Sequence, residues 1–405
     1  MRILHIQFSM TPAGNAAYRL HRAMLDSGLD SKILLLSPHY QQADCYNHYV
    51  FPIWAIFRKI INSLYRRTVL GRQKEGTYLF SGLPLVGLGI NSSELVKQAD
   101  VIYLHWVAGM SLSSSDFKAL CDTKKLIVFF MHDMWDITGG CHHSFECKQY
   151  SEGCKDCPMF LTKKHAAQKQ LYKRAMCCQG DNVFFVSPGD WLGGCAKKSV
   201  ISKGHEVFVI PNIVNLSMFK PIEKSTARQH FKLPVDKRII SFGCISGDNP
   251  FKGWMYLKEA IEKLDIPDLH IVVYGGDFNK KMAEEIKYPI SFVGRITKEE
   301  ELALISNVAD VFINPSLCEN YSSVLLEHIL CRVPVIAFNY TGNPNLVQTG
   351  ITGYLAKYKD SEDLSRGISM LLNGEIVPTF DFHYSSEEII NKHKMMISKY
   401  YEGVN

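Results

Sequence analysis

Residues 311–327 read VFINPSLCENYSSVLLE, and this segment decides the expected fold. The apolar run at 311–313 predicts the end of a buried strand, a short polar turn follows, and the apolar positions from Val324 onward predict a helix. A strand that leads through a turn into a helix leaves free backbone N–H groups at the helix start. These groups and the helix dipole attract anions, and phosphates above all.

Two carboxylates accompany this turn. Glu319 lies within it, and Glu327 follows eight positions later in the predicted helix, among apolar neighbours. Such carboxylates would lie close to a bound phosphate without binding it. They suit the hydroxyl groups of a sugar or a ribose, which donate hydrogen bonds to an ionised acid. The alternative interpretation is an ordinary solvated helix start that carries two acids.

The composition limits the class of protein. A chain of 405 residues is long for one domain and comfortable for two. The hydrophobic fraction of 46% is typical of a soluble globular protein, and a net charge of +5 is too small to predict a nucleic-acid partner. We find no apolar run long enough to span a bilayer, and residues 1–8 suit a first strand better than a signal peptide. We therefore expect a cytoplasmic protein with mostly reduced cysteines.

Strand-like runs alternate with helical patterns along the whole chain, which predicts parallel sheets in an α/β protein. Ligands of such sheets bind at the carboxyl ends of the strands. A stretch at 211–234, which contains three prolines, is the expected hinge between an N-terminal domain, 1–215, and a C-terminal domain, 222–385. The predicted strands lie at 2–8, 31–36, 101–104, 126–130, 183–187, 207–210, 239–242, 271–274, 290–293, 311–313 and 335–338.

Further motifs accompany the acid pair in the second half of the chain. In order they are IPNIVN (210–215), FKP (219–221), FGCIS (242–246), FKG (251–253), FVGRI (292–296), RVPVIA (332–337) and GITGYL (350–355). This series resembles the retaining glycosyltransferases of family 4, which have the GT-B fold, and the likeness spans nearly the whole chain. The resemblance implies two Rossmann-like, doubly wound domains that face each other across a cleft. It also implies that the final helix, 386–405, packs back on the N-terminal domain.

The resemblance implies a role for each matching residue in the nucleotide-sugar-binding domain. Glu327 would accept hydrogen bonds from the ribose hydroxyls, and Glu319 would hold hydroxyls of the transferred sugar. Lys252 would balance the charge that develops on the leaving diphosphate. The alternative for Lys252 is a surface lysine beside a turn glycine.

Other positions would surround the nucleotide. The backbone amides of Tyr321, Ser322 and Ser323 would face a phosphate, and Arg295 belongs to the loop on which the base rests. Two positions depart from the family pattern, since Ser322 replaces a glycine and Cys244 replaces an arginine that grips the diphosphate. Such enzymes generally need no metal for catalysis.

The N-terminal, acceptor-binding half supplies further candidates. Gly14 follows the first strand in a turn that opens a helix, where the family approaches the donor, although a simple tight turn would look the same. His132, with Asp133 beside it, comes at the end of the strand 126–130, and in the family a histidine there contacts the donor sugar or orients the acceptor. His105 has a similar position after an earlier strand. Either histidine could instead be structural.

Four cysteines lie within 17 residues: Cys141, Cys147, Cys154 and Cys157. The last two have the C-x-x-C spacing of a zinc knuckle, and four thiolates could complete a tetrahedral zinc site. This predicts a structural zinc ion. The alternatives are free thiols or a labile disulfide.

The segment 51–74 interleaves basic and apolar residues, and no acid occurs between Asp44 and Glu75. The pattern predicts a basic amphipathic helix that lies on an anionic membrane surface. The alternative is a helix with its apolar side on the core and its basic side in water. The basic residues are Arg58, Lys59, Arg66, Arg67, Arg72 and Lys74.

The resemblance, together with these observations, implies a retaining glycosyltransferase of the bacterial surface-polysaccharide type. It would move a hexose from a nucleotide diphosphate sugar, with UDP favoured, to a hydroxyl of a glycan or lipid-linked oligosaccharide, on the inner face of the plasma membrane. Two alternatives stay open. One is a GT-B enzyme of another reaction, such as an epimerase, and the other is a non-catalytic module that binds nucleotide sugars or membranes.

Overall fold

The computed structural model describes residues 1–10, 12–37, 45–48, 50–109, 111–246, 249–277, 284 and 286–404. The chain forms two compact units, one of Met1–Ile213 with Ser386–Asn405 and one of Val214–Ser385. The division thus falls beside the boundary that we placed at 215. The final helix belongs to the first unit.

The first unit is built on a seven-stranded sheet with strand order β3-β2-β1-β4-β5-β6-β7. Every neighbouring pair of these strands is parallel. The strand order reverses between β1 and β4, as in doubly wound sheets. The strands are β1 (Arg2–Gln7), β2 (Asp30–Leu35), β3 (Cys45–Asn47), β4 (Val101–Leu104), β5 (Leu126–Phe130), β6 (Val183–Ser187) and β7 (Glu206–Val209).

Helices connect these strands, as parallel pairing requires. In the first unit they are α1 (Pro12–Asp26), α2 (Pro52–Val69), α3 (Glu94–Gln98), α4 (Ser114–Cys121), α5 (Ala166–Cys177) and α6 (Asp190–Ala196), with the final helix α12 (Ser386–Val404).

The second unit contains a six-stranded parallel sheet with strand order β10-β9-β8-β11-β12-β13. Its strands are β8 (Arg238–Ser246), β9 (Leu269–Asp277), β10 (Ile290–Gly294), β11 (Val311–Asn314), β12 (Val335–Phe338) and β13 (Gly353–Ala356). Its helices are α7 (Lys224–His230), α8 (Trp254–Glu262), α9 (Glu299–Ile305), α10 (Ser323–Leu330) and α11 (Ser361–Leu372).

The side chains of β11 show why this sheet carries helices on both faces. Phe312 packs in one apolar cluster with Leu325 of α10, whereas Ile313 packs in another with Leu257 of α8 and Leu364 of α11. Successive side chains of a strand point to opposite faces, so one apolar run supplies two cores. The doubly wound arrangement expected from the sequence is present in this unit.

Within the part of the chain that the structure describes, no helix combines the length and the apolar character needed to cross a membrane.

Candidate functional site

The turn between β11 and α10 is held by its own polar side chains. Asn314, the last residue of β11, accepts a hydrogen bond from the Ser316 hydroxyl through Oδ1 at 2.7 Å. Ser322 is the N-cap of α10, and its hydroxyl accepts a bond from the Leu325 amide at 3.4 Å. The serine that replaces the family glycine therefore has a structural use, since it satisfies an amide at the helix start.

Lys252 and Glu319 meet at this turn. The lysine Nζ lies 2.8 Å from Glu319 Oε1, and the two side chains are 34% and 18% exposed. The lysine ends a short 3₁₀ turn that begins with Asn249, whose Oδ1 accepts a bond from the Phe251 amide at 3.0 Å. The structure thus brings together two side chains that the sequence predicts to act on one donor.

A glycine fixes the distance between the two loops. Gly253 has a φ of +73°, and a Cβ there would lie 1.9 Å from the Pro315 carbonyl oxygen. The Leu317 amide also donates a hydrogen bond to the Phe251 carbonyl at 2.8 Å. Only a residue without Cβ allows this approach, so the lysine loop is docked directly on the Glu319 loop.

A third segment, which contains Thr341 and Gly342, holds the backbone of Glu319. Its amide donates to Thr341 Oγ1 at 3.1 Å, and its carbonyl accepts a bond from the Gly342 amide at 2.9 Å. A Cβ on Gly342 would lie 1.5 Å from the Asn320 carbonyl oxygen. The position of Glu319 therefore depends on a segment more than twenty residues away along the chain, which the motif alone does not show.

Glu327 lies within α10 and is 6% exposed. A buried carboxylate requires hydrogen-bond partners. Its neighbour His328 stacks on Phe312 with 3.7 Å between ring centroids, and its Nδ1 donates to the Val324 carbonyl at 2.8 Å. Burial lowers the pKa of His328 to about 3, so this ring is neutral and joins α10 to β11.

The remaining predicted nucleotide contacts lie at the expected element ends. Arg295 is exposed and directly follows β10, Tyr321 packs partly buried against the core of this unit, and Ser323 is the first residue of α10. Gly14 lies in the first turn of α1 in the other unit, where its surroundings are outside the described residues. The side chain of Cys244 is likewise outside them. The roles assigned to these residues stay predictions.

The two candidate histidines of the first unit are hydrogen-bonded to each other. His105 follows β4, His132 follows β5, and His105 Nδ1 lies 2.9 Å from His132 Nε2. Burial lowers the pKa of His132 to about 4. The other nitrogen of His105 lies 2.9 Å from Nδ1 of His5, which the sequence analysis did not identify. The signal available for His5 was a polar residue inside an apolar buried strand.

Asp133 is paired within the same unit. Its Oδ2 accepts a bond from Trp106 Nε1 at 3.0 Å and lies 2.7 Å from His142 Nδ1. Burial acts to raise the pKa of Asp133, but His142, His143 and the Trp135 amide together outweigh it, and the pKa lies below its ordinary value. His142 Nε2 is in turn 3.0 Å from the Ser81 hydroxyl. Asp133 therefore anchors the segment after β5 to residues around 81 and 142.

The four clustered cysteines are free thiols in this structure. Cys141 Sγ lies 3.3 Å from Met159 Sδ. A hydrogen bond from Cys141 lowers the pKa of Cys157 to about 7, and burial raises that of Cys154 to about 11. Among the described residues, no three His, Cys, Asp or Glu side chains are arranged to hold a metal ion. The zinc site through Cys141, Cys147, Cys154 and Cys157 accordingly stays a prediction.

Helix α2 turns its polar side inward. Asn62 is 3% exposed; its amide donates to the Val86 carbonyl at 2.8 Å, and its Oδ1 accepts from the amides of Leu85 and Val86, both at 3.0 Å. The opposite face is apolar and exposed to solvent, and the side chain of Ile53 is 84% exposed. The interpretation that the apolar side packs on the core is therefore wrong. The other large exposed apolar residues of this segment are Phe51, Trp54, Ile56, Phe57, Ile60 and Leu64.

Comparisons with known proteins find a similarity within the second unit. Residues 236–374 match the family model described as Glycosyl transferases group 1. The D-inositol 3-phosphate glycosyltransferase of Mycobacteroides abscessus is 28% identical over 169 residues. That alignment covers 39% of this chain and 37% of the relative, so the chain spans well under half the length of this curated relative.

Two solved structures align over the whole chain. Sucrose-phosphate synthase from Thermosynechococcus elongatus has a TM-score of 0.67 at 17% identity, with 100% of both chains covered. HepE of Anabaena, in complex with UDP and glucose, has a TM-score of 0.61 at 14% identity, with 98% of this chain and 99% of that chain covered. Identities this low show the fold alone, and the predicted GT-B fold is confirmed.

Proposed function

We propose that this chain is a retaining glycosyltransferase similar to family 4, which moves a hexose from a nucleotide diphosphate sugar to a glycan hydroxyl. The observation that carries the proposal is the Lys252–Glu319 pair, 2.8 Å apart beside the N-terminus of α10. It lies in the region that matches the group 1 glycosyl transferases. One cation, one carboxylate and a helix N-terminus together suit a sugar attached to a phosphate.

The pair suggests how a donor is received. Both side chains are partly exposed, so a diphosphate can replace the carboxylate as the partner of Lys252 without first opening a buried ion pair. Glu319 then accepts hydrogen bonds from sugar hydroxyls. Lys252 stabilises the negative charge that grows on the diphosphate as its bond to the sugar breaks.

In a retaining reaction of this kind, the acceptor attacks the face of the sugar from which the diphosphate leaves. The bond from C1 to the phosphate oxygen breaks, the bond from C1 to the acceptor oxygen forms, and the acceptor proton passes to the leaving phosphate. No protein nucleophile takes part, so Glu319 acts as a hydrogen-bond acceptor. The complex of HepE with UDP and glucose supports UDP as the nucleotide of the donor.

The exposed face of α2 supports an acceptor at a membrane. An apolar face in the open, with the polar Asn62 turned inward, is the reverse of a helix that packs on a core. Exposed Lys59, Arg66 and Arg67 on the same helix complement anionic lipid headgroups. We propose that α2 docks on the inner face of the plasma membrane, where a lipid-linked oligosaccharide of a surface polysaccharide is the acceptor.

Nucleotide release from UDP-, GDP-, ADP- and dTDP-sugars, with purified protein and an extract of lipid-linked glycans, tests the proposal. We expect release from one donor, UDP-linked, that depends on the extract and is lost in Lys252→Ala. Release without the extract would indicate hydrolysis, and an epimerised sugar would indicate the epimerase. Absence of release and of thermal stabilisation by every nucleotide would overturn the transferase and leave a non-catalytic module that binds membranes.

A further inference from the structure

Three imidazoles form a continuous hydrogen-bonded chain in the first unit. His5 Nδ1 lies 2.9 Å from His105 Nε2, and His105 Nδ1 lies 2.9 Å from His132 Nε2. The chain crosses three adjacent strands, since β1 pairs with β4 and β4 pairs with β5. His5 and His105 are buried, whereas His132 is partly exposed. His132 is therefore the end of the chain that can meet a solute.

All three rings are neutral. Burial lowers the pKa of His5 and of His105 well below the ordinary value, and lowers that of His132 to about 4. Other polar groups near these rings include His21 and His393 beside His5, Tyr103 stacked on His5, and Asp133 next to His132. A neutral imidazole carries one N–H and one bare nitrogen. The two hydrogen bonds can then form in two ways. In the outward arrangement each ring donates toward His132, and in the inward arrangement each ring donates toward His5.

The buried end of the chain decides between the two. Among the described residues, no donor or acceptor lies within hydrogen-bonding distance of His5 Nε2. In the inward arrangement this nitrogen carries a proton, and buried N–H groups without an acceptor are the rarer defect in folded proteins. In the outward arrangement His5 Nδ1 donates to His105 Nε2, and His105 Nδ1 donates to His132 Nε2. The proton of His132 then lies on Nδ1.

We propose that His5 and His105 are positioning residues that hold His132 as the Nδ1–H tautomer, so that it meets the substrate as a hydrogen-bond donor. The substrate atom it suits is an oxygen of a sugar hydroxyl or of the diphosphate. The substrate part of this inference rests on the proposed function. It is consistent with a reaction in which the leaving phosphate, and not a histidine, takes the acceptor proton.

The tautomer is measurable without any substrate. In the ¹⁵N-labelled full chain, imidazole nitrogen shifts distinguish a protonated from a bare nitrogen, and His132→Asn identifies the His132 signals by their loss. We expect a protonated Nδ1 and a bare Nε2 at pH 7. A bare Nδ1, or a doubly protonated ring, would overturn the proposal whether or not any variant folds.

Two variants of His105 form a matched pair. An asparagine amide nitrogen is as many bonds from Cβ as Nδ1 of histidine, so His105→Asn keeps a donor toward His132. A glutamine amide nitrogen matches Nε2, so His105→Gln keeps a group toward His5 and removes that donor. We expect His132 to stay Nδ1–H in His105→Asn and to shift toward Nε2–H in His105→Gln. The same His132 tautomer in both variants, at equal thermal stability, would contradict the inference.

Turnover separates this inference from the proposed function. With the donor found active, His105→Gln should lower kcat roughly tenfold with little change in the donor KM, less than the loss of a direct donor group. His105→Asn should retain more activity than His105→Gln. Equal loss in both variants would indicate a structural role. If no donor supports turnover but the tautomers behave as expected, the proposed function fails while the tautomer assignment stands.

Discussion

The two units build their polar sites in opposite ways. In the second unit a lysine and a carboxylate on separate loops form a partly exposed ion pair. In the first unit three neutral imidazoles form a chain that is mostly buried. An exposed pair exchanges partners with a charged ligand at small cost, whereas buried rings resist any change of charge. On the functions that we propose, the second unit would bind a charged group and the first would present a fixed, neutral hydrogen-bond donor.

The largest effect is expected from Glu327→Ala in the second unit. The change removes a buried carboxylate that we assign to the two ribose hydroxyls, and the loss of two hydrogen bonds to a charged group, at about 1.5–3 kcal/mol each, amounts to roughly 10²- to 10⁴-fold. Nucleotide release should fall by that order, with the melting temperature near that of the wild type. Glu327→Gln, which keeps the shape and one acceptor oxygen, should retain part of the activity. Unchanged turnover in Glu327→Ala would remove Glu327 from the site.

Lys252→Ala should have the next largest effect, about a 10²- to 10³-fold fall in kcat, because a preorganised cation opposite the leaving diphosphate is lost. Lys252→Arg should give an intermediate value, since the charge remains but its geometry changes. Lys263→Ala removes a lysine of the same unit, also partly exposed and paired with Glu362, and serves as the control. An equal fall in this control would show that the effect comes from net charge alone.

The positions of the candidate site residues in the second unit could be predicted from the sequence because the elements that carry them are local. The strand, the turn and the helix containing Glu319 and Glu327 are consecutive, and Lys252 stands beside a turn glycine. The sequence does not predict that the segment at Gly342 holds the Glu319 loop, because this depends on the close approach of Gly342 to the Asn320 carbonyl. The short strands β3 and β13 were also missed, because Cys45–Asn47 contains no apolar run and Gly353–Ala356 lies within a motif that resembles a glycine turn.

The first unit was less accessible because its contacts are distant in sequence. His5 and His105 are 100 residues apart and meet through the register of β1 on β4, which places His5 beside Tyr103. The composition of α2 predicted an amphipathic helix, but its orientation depends on Asn62 bonding to residues 23 and 24 positions later. Cysteine spacing likewise does not determine how thiols are arranged in space. Long-range packing therefore determines the histidine contact, the orientation of α2 and the arrangement of the cysteines.

The surfaces of the two units differ as well, and this gives a third, smaller effect. Phe57 and Ile60 on α2 are about half exposed, so replacing both by serine should lower binding to phosphatidylglycerol vesicles by roughly tenfold to a hundredfold, as apolar area stays in water. The double change Met255→Ser and Val377→Ser, at exposed sites of the second unit, should leave binding unchanged. Vesicle co-sedimentation measures both. A similar loss in both double variants, or none in the first, would exclude α2 as the docking helix.

The smallest expected effect is that acid destabilises the first unit more than the second. Among the described residues, burial lowers the pKa of five histidines of the first unit, His5, His105, His132, His205 and His393, but of two in the second, His270 and His328. The unfolded chain then binds more protons than the folded one, so stability is complete above the ordinary pKa of 6.5 and is lost as the pH falls below it. Each buried histidine lowers stability by up to about 1.4 kcal/mol per pH unit.

Hydrogen exchange at pH 7 and pH 5, corrected for intrinsic rates, measures this difference strand by strand. Protection should fall more in β1, β4 and β5 than in β8, β11 and β12, because more neutral rings oppose protonation in the first unit. His328→Phe keeps an aromatic ring against Phe312 and removes a titrating group, so it should make the second unit less sensitive to acid and leave the first unchanged. Equal acid sensitivity of the two units would mean that the three imidazoles can be protonated in the folded state. The proposal that His132 is held in one neutral tautomer would then be wrong.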